Sequence, residues 1–332
     1  MPEQNTSILD CLKKAKRILI AGHYHPDGDA LGSTLALGLG LKQLGKTVVM
    51  YNRDKIPFNL SFLPSVQELT QQLPKESFDC AVMVDCAQPK RISDAFAAAV
   101  QAKKFTTLVC IDHHLLDQPA GDIDWIEPQA ASTGGVVWNL LKKLKVTLTK
   151  DIANLTFCTL TVDTGSFRYS NTTAEVFDLA SELMKAGADP WFVAMHLEES
   201  LPVERYRLLA ESLESLEIQL DGKYASMEVT PAMLQNAGAS EEHSEEFANI
   251  PRSIRGVEVA ALFREVEPGK VRVSLRSKET VNVSEICKSF GGGGHEHAAG
   301  CNFTGTLADA KKKIEEAISR QLSAISYQPV EL

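Results

Sequence analysis

Short apolar runs that end in acids and histidines set the rhythm of the first half of this chain. RILIAG (17–22), CAVMV (80–84) and TLVCI (107–111) are β-branched or aliphatic and bounded by polar residues, as strands buried on both faces of a parallel sheet should be. KTVVMY (46–51) adds a fourth. Helical spacing lies between and after them, from Ala30 to Leu44, beyond Arg91, and over 132–145, 151–161 and 172–186. This alternation predicts an α/β domain with a parallel sheet over 1–190.

The turn signal GADPW (187–191) precedes an apolar stripe at helical spacing over 203–219, so 191–222 is expected to form a linker helix. Then the period changes. YASMEV (224–229), VEVAALF (257–263) and KVRVSLR (270–276) read as strands, followed by a short helix at 284–290, a glycine loop and an amphipathic helix at about 306–323. A smaller α+β domain is expected over 223–332. SEEHSEEF (240–247) reads as a solvated acidic loop.

Composition narrows the class. At 332 residues the chain exceeds one average domain of roughly 150. With 34 Lys+Arg against 43 Asp+Glu it carries a formal charge of -9, which disfavours long DNA or RNA as a general partner. No apolar run reaches transmembrane length, and the first 25 residues lack a signal-peptide core. The expectation is a soluble cytoplasmic protein without a membrane partner; a homodimer is left open. Seven cysteines (11, 80, 86, 110, 158, 287, 301), with no CxxC, read as reduced core residues.

The acids and histidines now matter. GHYHPDGD (22–29), VDC (84–86) and IDHH (111–114) each follow an apolar run, and the chemistry of an open α/β sheet gathers at the carboxyl ends of its strands. Asp163 in TVDTGSFRYSNTT is expected to follow the same logic. His23, Asp27, Asp29, Asp85, Asp112, His113, His114 and Asp163 should therefore converge on one rim. So many carboxylates repel one another unless metal neutralises them. Oxygen and imidazole donors without thiolate suit two manganese ions about 3.5–4 Å apart, with magnesium, cobalt or zinc as substitutes. Asp117, Asp122 and Asp124 read as loop carboxylates, and Cys86 and Cys110 as small core residues.

GGGGHEHAAG (291–300) places four glycines before a helix-competent segment, leaving His295 at the edge of a backbone nest for an anion. Residues 251–280 hold seven Lys/Arg against four Glu, a local positive excess. GLGLKQ (38–43) evokes a dinucleotide fingerprint but lies inside a helix, and it is rejected.

HYHPDGDALGS (23–33), VDC, DHH, DTGSFRYSNTT (163–173) and GGGGHEHAAGC (291–301) together resemble the motif series of the DHH phosphoesterase family, of the two-domain type that cleaves very short RNA and pAp. The resemblance covers nearly the whole chain in order and spacing. It implies that His23, Asp27 and Asp85 hold one ion, and that Asp29, Asp85, His113 and Asp163 hold another. Asp112 would orient its neighbours, and His114 would meet the substrate phosphate. Arg276 and His295, with Gly293 and Gly294, would grip a terminal phosphate, with Arg168, Ser170 and Asn171 reaching from the first domain.

His25 stands where the family more often has Asn, and its role stays open. His297 departs too and reads as an exposed helix histidine. The expected activity is hydrolysis of short oligoribonucleotides to mononucleotides and of pAp to AMP and phosphate. A cyclic-dinucleotide or pApA phosphodiesterase is the alternative, and a nucleotide-binding regulator with an inactive metal site is the non-enzyme alternative.

Overall fold

The computed structural model describes residues 2–114 and 121–326. Two compact units divide them, at Leu201 and Pro202.

The first unit opens with α1 (Pro2–Lys14), β1 (Arg17–Ala21), α2 (Gly28–Gln43), β2 (Thr47–Tyr51) and β3 (Leu69–Thr70). It continues through β4 (Phe78–Val84), α3 (Pro89–Ile92), α4 (Asp94–Gln101), β5 (Phe105–Asp112) and β6 (Ile123–Ile126). Four helices close it: α5 (Thr133–Lys143), α6 (Lys150–Asp163), α7 (Ala174–Lys185) and α8 (Pro190–Glu198). The six strands are all parallel, in the order β3-β2-β1-β4-β5-β6. Successive side chains point to opposite faces. Ile18, Ile20, Cys80 and Val82 join one core with α1, α2, α5 and α6, whereas Leu19, Ala21, Ala81 and Met83 join a second with α4. Because both faces are covered, residues 18–21 of β1 and 80–84 of β4 are apolar and buried at every position.

The chain leaves β1 for β2 on one side and later returns to β4 on the other. Strand order therefore reverses between β1 and β4, which opens a crevice at their carboxyl ends. Glycine brings the helices behind that crevice together. A Cβ on Gly32 of α2 would lie 2.5 Å from Thr159 Cγ2 and 3.0 Å from the Leu155 carbonyl of α6.

The second unit contains α9 (Val203–Glu214), β7 (Glu217–Gln219), β8 (Tyr224–Val229), α10 (Pro231–Ala237), α11 (Asn249–Arg252), β9 (Val259–Glu267) and β10 (Lys270–Ser277). α12 (Val283–Ser289), β11 (Gly293–His295), β12 (Ala298–Thr304) and α13 (Leu307–Ser326) complete it. Its mixed sheet runs β11-β12-β10-β9-β8-β7. One face packs Val271, Val273 and Leu275 against α12 and α13; on the other, Met227, Val229 and Leu262 meet Leu208 of α9 and Phe247.

Three expectations need correction. The helix read over 203–219 stops at Glu214, and Glu217–Gln219 becomes an edge strand pairing with β8. The segment 240–247 is not simply solvated: it forms a 3-10 turn, Ser244 is buried, and Phe247 is fully buried in the core. The glycine run forms a β-hairpin rather than a loop entering a helix, because Gly293, Gly294 and His295 pair with Gly300, Ala299 and Ala298.

Gly32→Ala tests the close packing of α2 on α6. Alanine gains about 1 kcal/mol of helix propensity, but the overlap should reverse this and cost about 2 kcal/mol net. Equal or higher urea stability would contradict the packing argument.

Candidate metal centre and anion-binding face

The loop after β1 is built by capping. Asp27 is the N-cap of α2, and its Oδ1 accepts the backbone N–H groups of Asp29 and Ala30, both at 3.0 Å. Its Oδ2 lies 3.7 Å from His23 Nε2. His23 donates from Nδ1 to the Tyr24 carbonyl at 2.8 Å, which directs Nε2 towards Asp85 Oδ2 at 3.3 Å. Asn52 donates to the His23 carbonyl at 2.9 Å, and Asp54 accepts the His25 N–H at 2.6 Å.

Asp85 follows β4 with φ +54, in the left-handed region. Such strain persists only where the surroundings hold it. Asp85 N–H donates to the Ile111 carbonyl at 3.0 Å, and Thr133 Oγ1 donates to Asp85 Oδ1 at 3.1 Å. Asp112 ends β5, and its Oδ1 accepts the backbone N–H groups of His113 and His114 and, at 2.6 Å, His114 Nδ1. His113 donates from Nδ1 to the Ala130 carbonyl at 3.0 Å. Its Nε2 thereby faces Asp163 at 3.3 Å and Asp29 and Asp85, each at 3.8 Å.

Asp29 is fully buried at the start of α5, where Thr133 and Gly134 N–H donate to its two oxygens at 2.7 and 3.0 Å, and Ser33 Oγ adds 3.1 Å. A helix N-terminus suits a carboxylate. Thr133 was not singled out from sequence, yet it holds Asp29 through its backbone and Asp85 through its hydroxyl. The only signal was Ser-Thr-Gly-Gly opening an apolar helix. Asp163 departs from expectation, because it ends helix α6 rather than a strand.

Donor atoms of His23, Asp27 and Asp85 lie within 4.8 Å of one another, as do those of Asp29, His113 and Asp163, and those of Asp85, His113 and His114. Asp85 and His113 thus join three groups into one cluster. Burial, then the charge on Asp85, raises Asp29 to about 7. Burial and the charges of Asp29, Asp27 and Asp85 raise Asp163 well above the carboxylate range. Burial opposes the charge on His23, but hydrogen bonds to Asp27 and Asp85 lift it to about 11. Hard oxygen and imidazole donors, crowded and buried, fit a divalent cation.

The remaining first-unit residues sit differently. Arg168 is exposed and donates to the Gly165 carbonyl at 2.6 Å, Ser170 is exposed, and Asn171 donates to the Asp163 carbonyl at 3.1 Å. His25 pairs with Asp54 at 3.6 Å and belongs to none of the three donor groups. Asp122 and Asp124 accept N–H bonds from Leu108 and Gly121. Asp117 lies outside the described residues.

In the second sheet, paired residues share a face. His295, Ala298, Arg276 and Ala260 form one row across β11, β12, β10 and β9. Gly293, Gly300 and Ser274 form the next row, and Asn302, Arg272 and Arg264 form another. Arg276 and His295 therefore stand on one face, about 10 Å apart across two strand spacings. Gly294 belongs to the opposite alternation, with φ +146, and a Cβ there would meet the Ala298 carbonyl at 2.5 Å. His297 is no helix residue: it lies at the hairpin turn and shares a 2.9 Å hydrogen bond with Ser277.

A doubly wound sheet with an acid-histidine cluster at its switch point places a candidate divalent-cation site where open α/β sheets carry their chemistry. The sequence matches the DHH family, N-terminal domain, over 17–160 and the DHHA1 domain over 221–324. It is 34% identical over 312 residues to the bifunctional oligoribonuclease and PAP phosphatase NrnA of Thermus thermophilus, covering 93% of this chain and 91% of that one. A probable protein of the same name from Streptococcus mutans is 31% identical, with 89% and 92% covered. An exopolyphosphatase-related protein from Bacteroides fragilis superposes with a TM-score of 0.89 at 26% identity, covering 96% of each chain. The chain belongs to the DHH phosphoesterase family.

The crowded acids predict how stability depends on pH. Asp29 titrates near 3.8 unfolded and about 7 folded, so over that interval the folded chain holds the extra proton and stability falls as pH rises. His23 acts with the same sign between 6.5 and about 11. In chelator, the urea midpoint should be higher at about pH 5 than at about pH 8, and manganese should restore it at about pH 8 by neutralising the ionised carboxylates. A flat metal-free profile would argue against the crowding.

Proposed function

We propose that this protein is a metal-dependent phosphoesterase that hydrolyses very short oligoribonucleotides to mononucleotides and pAp to AMP and phosphate. The position of Asp85 carries the reading, because its two oxygens face His23 on one side and His113 and His114 on the other. The names of the two curated relatives support the substrate class.

His23, Asp27 and Asp85 would hold one manganese ion, and Asp29, Asp85, His113 and Asp163 a second; magnesium, cobalt or zinc could replace either. Bound ions supply a water of lowered pKa and neutralise phosphate charge. The chain does the rest. The Tyr24 and Ala130 carbonyls fix the tautomers of His23 and His113. Thr133 keeps Asp29 and Asp85 in place. Although burial works against the charged ring, the bond to Asp112 raises the His114 pKa, so His114 is suited to offer a proton to a phosphate oxygen. Arg276 and His295 hold a terminal phosphate on the sheet face, with Gly293 leaving the backbone open between rows. Arg168, Ser170 and Asn171 are assigned to substrate beside Asp163. The seven free cysteines support a reducing, cytoplasmic setting.

Kinetics separate cutting from holding. His114→Ala should lower kcat about a hundredfold, whereas Arg276→Ala should raise KM about tenfold or more with kcat less affected. A pure kcat loss at Arg276 would sink its assignment.

Substrate length supplies another test, run on pAp, pApA, cyclic di-AMP and RNA of increasing length. With a net charge of -9, the surface offers little to a long polyanion, so kcat/KM should fall beyond about five residues. Equal or better processive hydrolysis of a strand of about twenty residues would favour an exonuclease instead. Preference for cyclic di-AMP would favour the cyclic-dinucleotide reading.

A further inference from the structure

Two of the cysteines meet at a place the phosphoesterase chemistry does not use. Cys11 on α1 is partly exposed, Cys80 on β4 is fully buried, and their sulfurs lie 3.8 Å apart although the residues are 69 positions apart. Packing enforces the contact. Ile8 and Leu12 of α1 are fully buried in the same core as Ile18, Cys80 and Val82, so the helix face that carries Cys11 is pinned against the sheet.

The geometry points to an oxidation site in which Cys11 is the attacking thiolate and Cys80 the resolving thiol, joined by hydrogen peroxide into a reversible disulfide. In the first step the Cys11 sulfur attacks one peroxide oxygen, the O–O bond breaks, hydroxide leaves, and the sulfur becomes a sulfenic acid. In the second, the Cys80 sulfur attacks the Cys11 sulfur, the S–O bond breaks, and the oxygen departs as water with the Cys80 proton. Two thiols lose two electrons and two protons, and one peroxide becomes two waters. A thiol donor such as dithiothreitol reverses the result.

The surroundings favour these roles. The two thiols share the 3.8 Å contact and, despite the burial that opposes it, Cys11 is lowered to about 7, first by its interaction with Cys80, with Thr107 and Lys14 assisting. Cys80, through the same interaction and its burial, is pushed far up and keeps its proton. Low pKa, access and a neighbouring resolving thiol are what a peroxide-sensitive cysteine requires. Cys287 and Cys301 also interact, but both are buried, so peroxide should reach Cys11 first. Closing the sulfurs from 3.8 Å to a bond of about 2.05 Å asks for a modest side-chain shift. The bond would tie α1 to β4 and constrain the unfolded chain between residues 11 and 80.

The test exposes the full-length, fully reduced protein to hydrogen peroxide at neutral pH. A nonreducing digest is then read by mass spectrometry, and thermal midpoints are taken before and after dithiothreitol. A Cys11–Cys80 linked peptide should be the main product, with Tm raised by about 5 °C or more and restored by reductant. Cys11→Ser should show neither change. Cys80→Ser, which keeps a hydrogen-bonding group beside Cys11 but cannot form the disulfide, should leave Cys11 as a dimedone-reactive sulfenic acid; if that variant does not fold, the wild type and Cys11→Ser decide alone. Accumulation of Cys11 sulfinic acid without the link, earlier oxidation of another cysteine, or an unchanged Tm on linkage would overturn the assignment.

Discussion

Mutual repulsion among carboxylates is the constraint on which the first unit is built. Asp27, Asp29, Asp85 and Asp163 are gathered where burial and like charge raise Asp29 and Asp163 rather than letting all four ionise freely. A fold does not collect such groups without fixing each one. Asp27 is held by the first N–H groups of α2, Asp29 by those of α5, and Asp85 by the Thr133 hydroxyl. Donors without negative charge thus orient the acids and offset part of the repulsion. A divalent cation would offset the remainder.

The helices meet this demand only because the strands are buried on both faces. Continuous apolar residues over 18–21 of β1 and 80–84 of β4 let α1, α2, α5 and α6 pack on one side and α4 on the other, so strand ends rather than strand faces are left for polar chemistry. Small residues set the last distances. A side chain on Gly134 would strike Thr159 Oγ1 at 2.1 Å, so the N-terminus of α5 could not keep its place over Asp29 with a larger residue there.

Much of this was legible in the sequence because the first unit is periodic. Continuous apolar runs announced buried parallel strands, and acids immediately after them announced the rim. Asp163 was harder: it sits beside His113 but arrives from the end of α6, and no local pattern distinguishes a helix end at the rim from a strand end. Thr133 was invisible for a similar reason, since its partners are Asp29 and Asp85, far away in sequence. The glycine run misled because four glycines specify conformational freedom but no element, and the pairing of β11 with β12 decided the hairpin. Phe247 was hidden by its acidic neighbours, whose side chains surround it in sequence while its ring joins the core.

An acidic protein that handles phosphates must make its attraction local. On the second sheet, Arg264, Arg272 and Arg276 share one face, and their own repulsion is visible in Arg264, whose pKa is lowered first by burial and then by Arg272, despite opposing help from Glu245. Glu241 lies 3.7 Å from Arg272, so part of that charge is already answered. Arg276 differs, donating to the Leu275 carbonyl beside the glycine row. Attraction confined to one sheet face decays within about one Debye length of 8–10 Å. A small nucleotide can satisfy such a surface completely, whereas each further phosphate of a long strand meets the net negative remainder of the molecule. Under the proposed function, preference for short substrates needs no gate; the charge distribution supplies it.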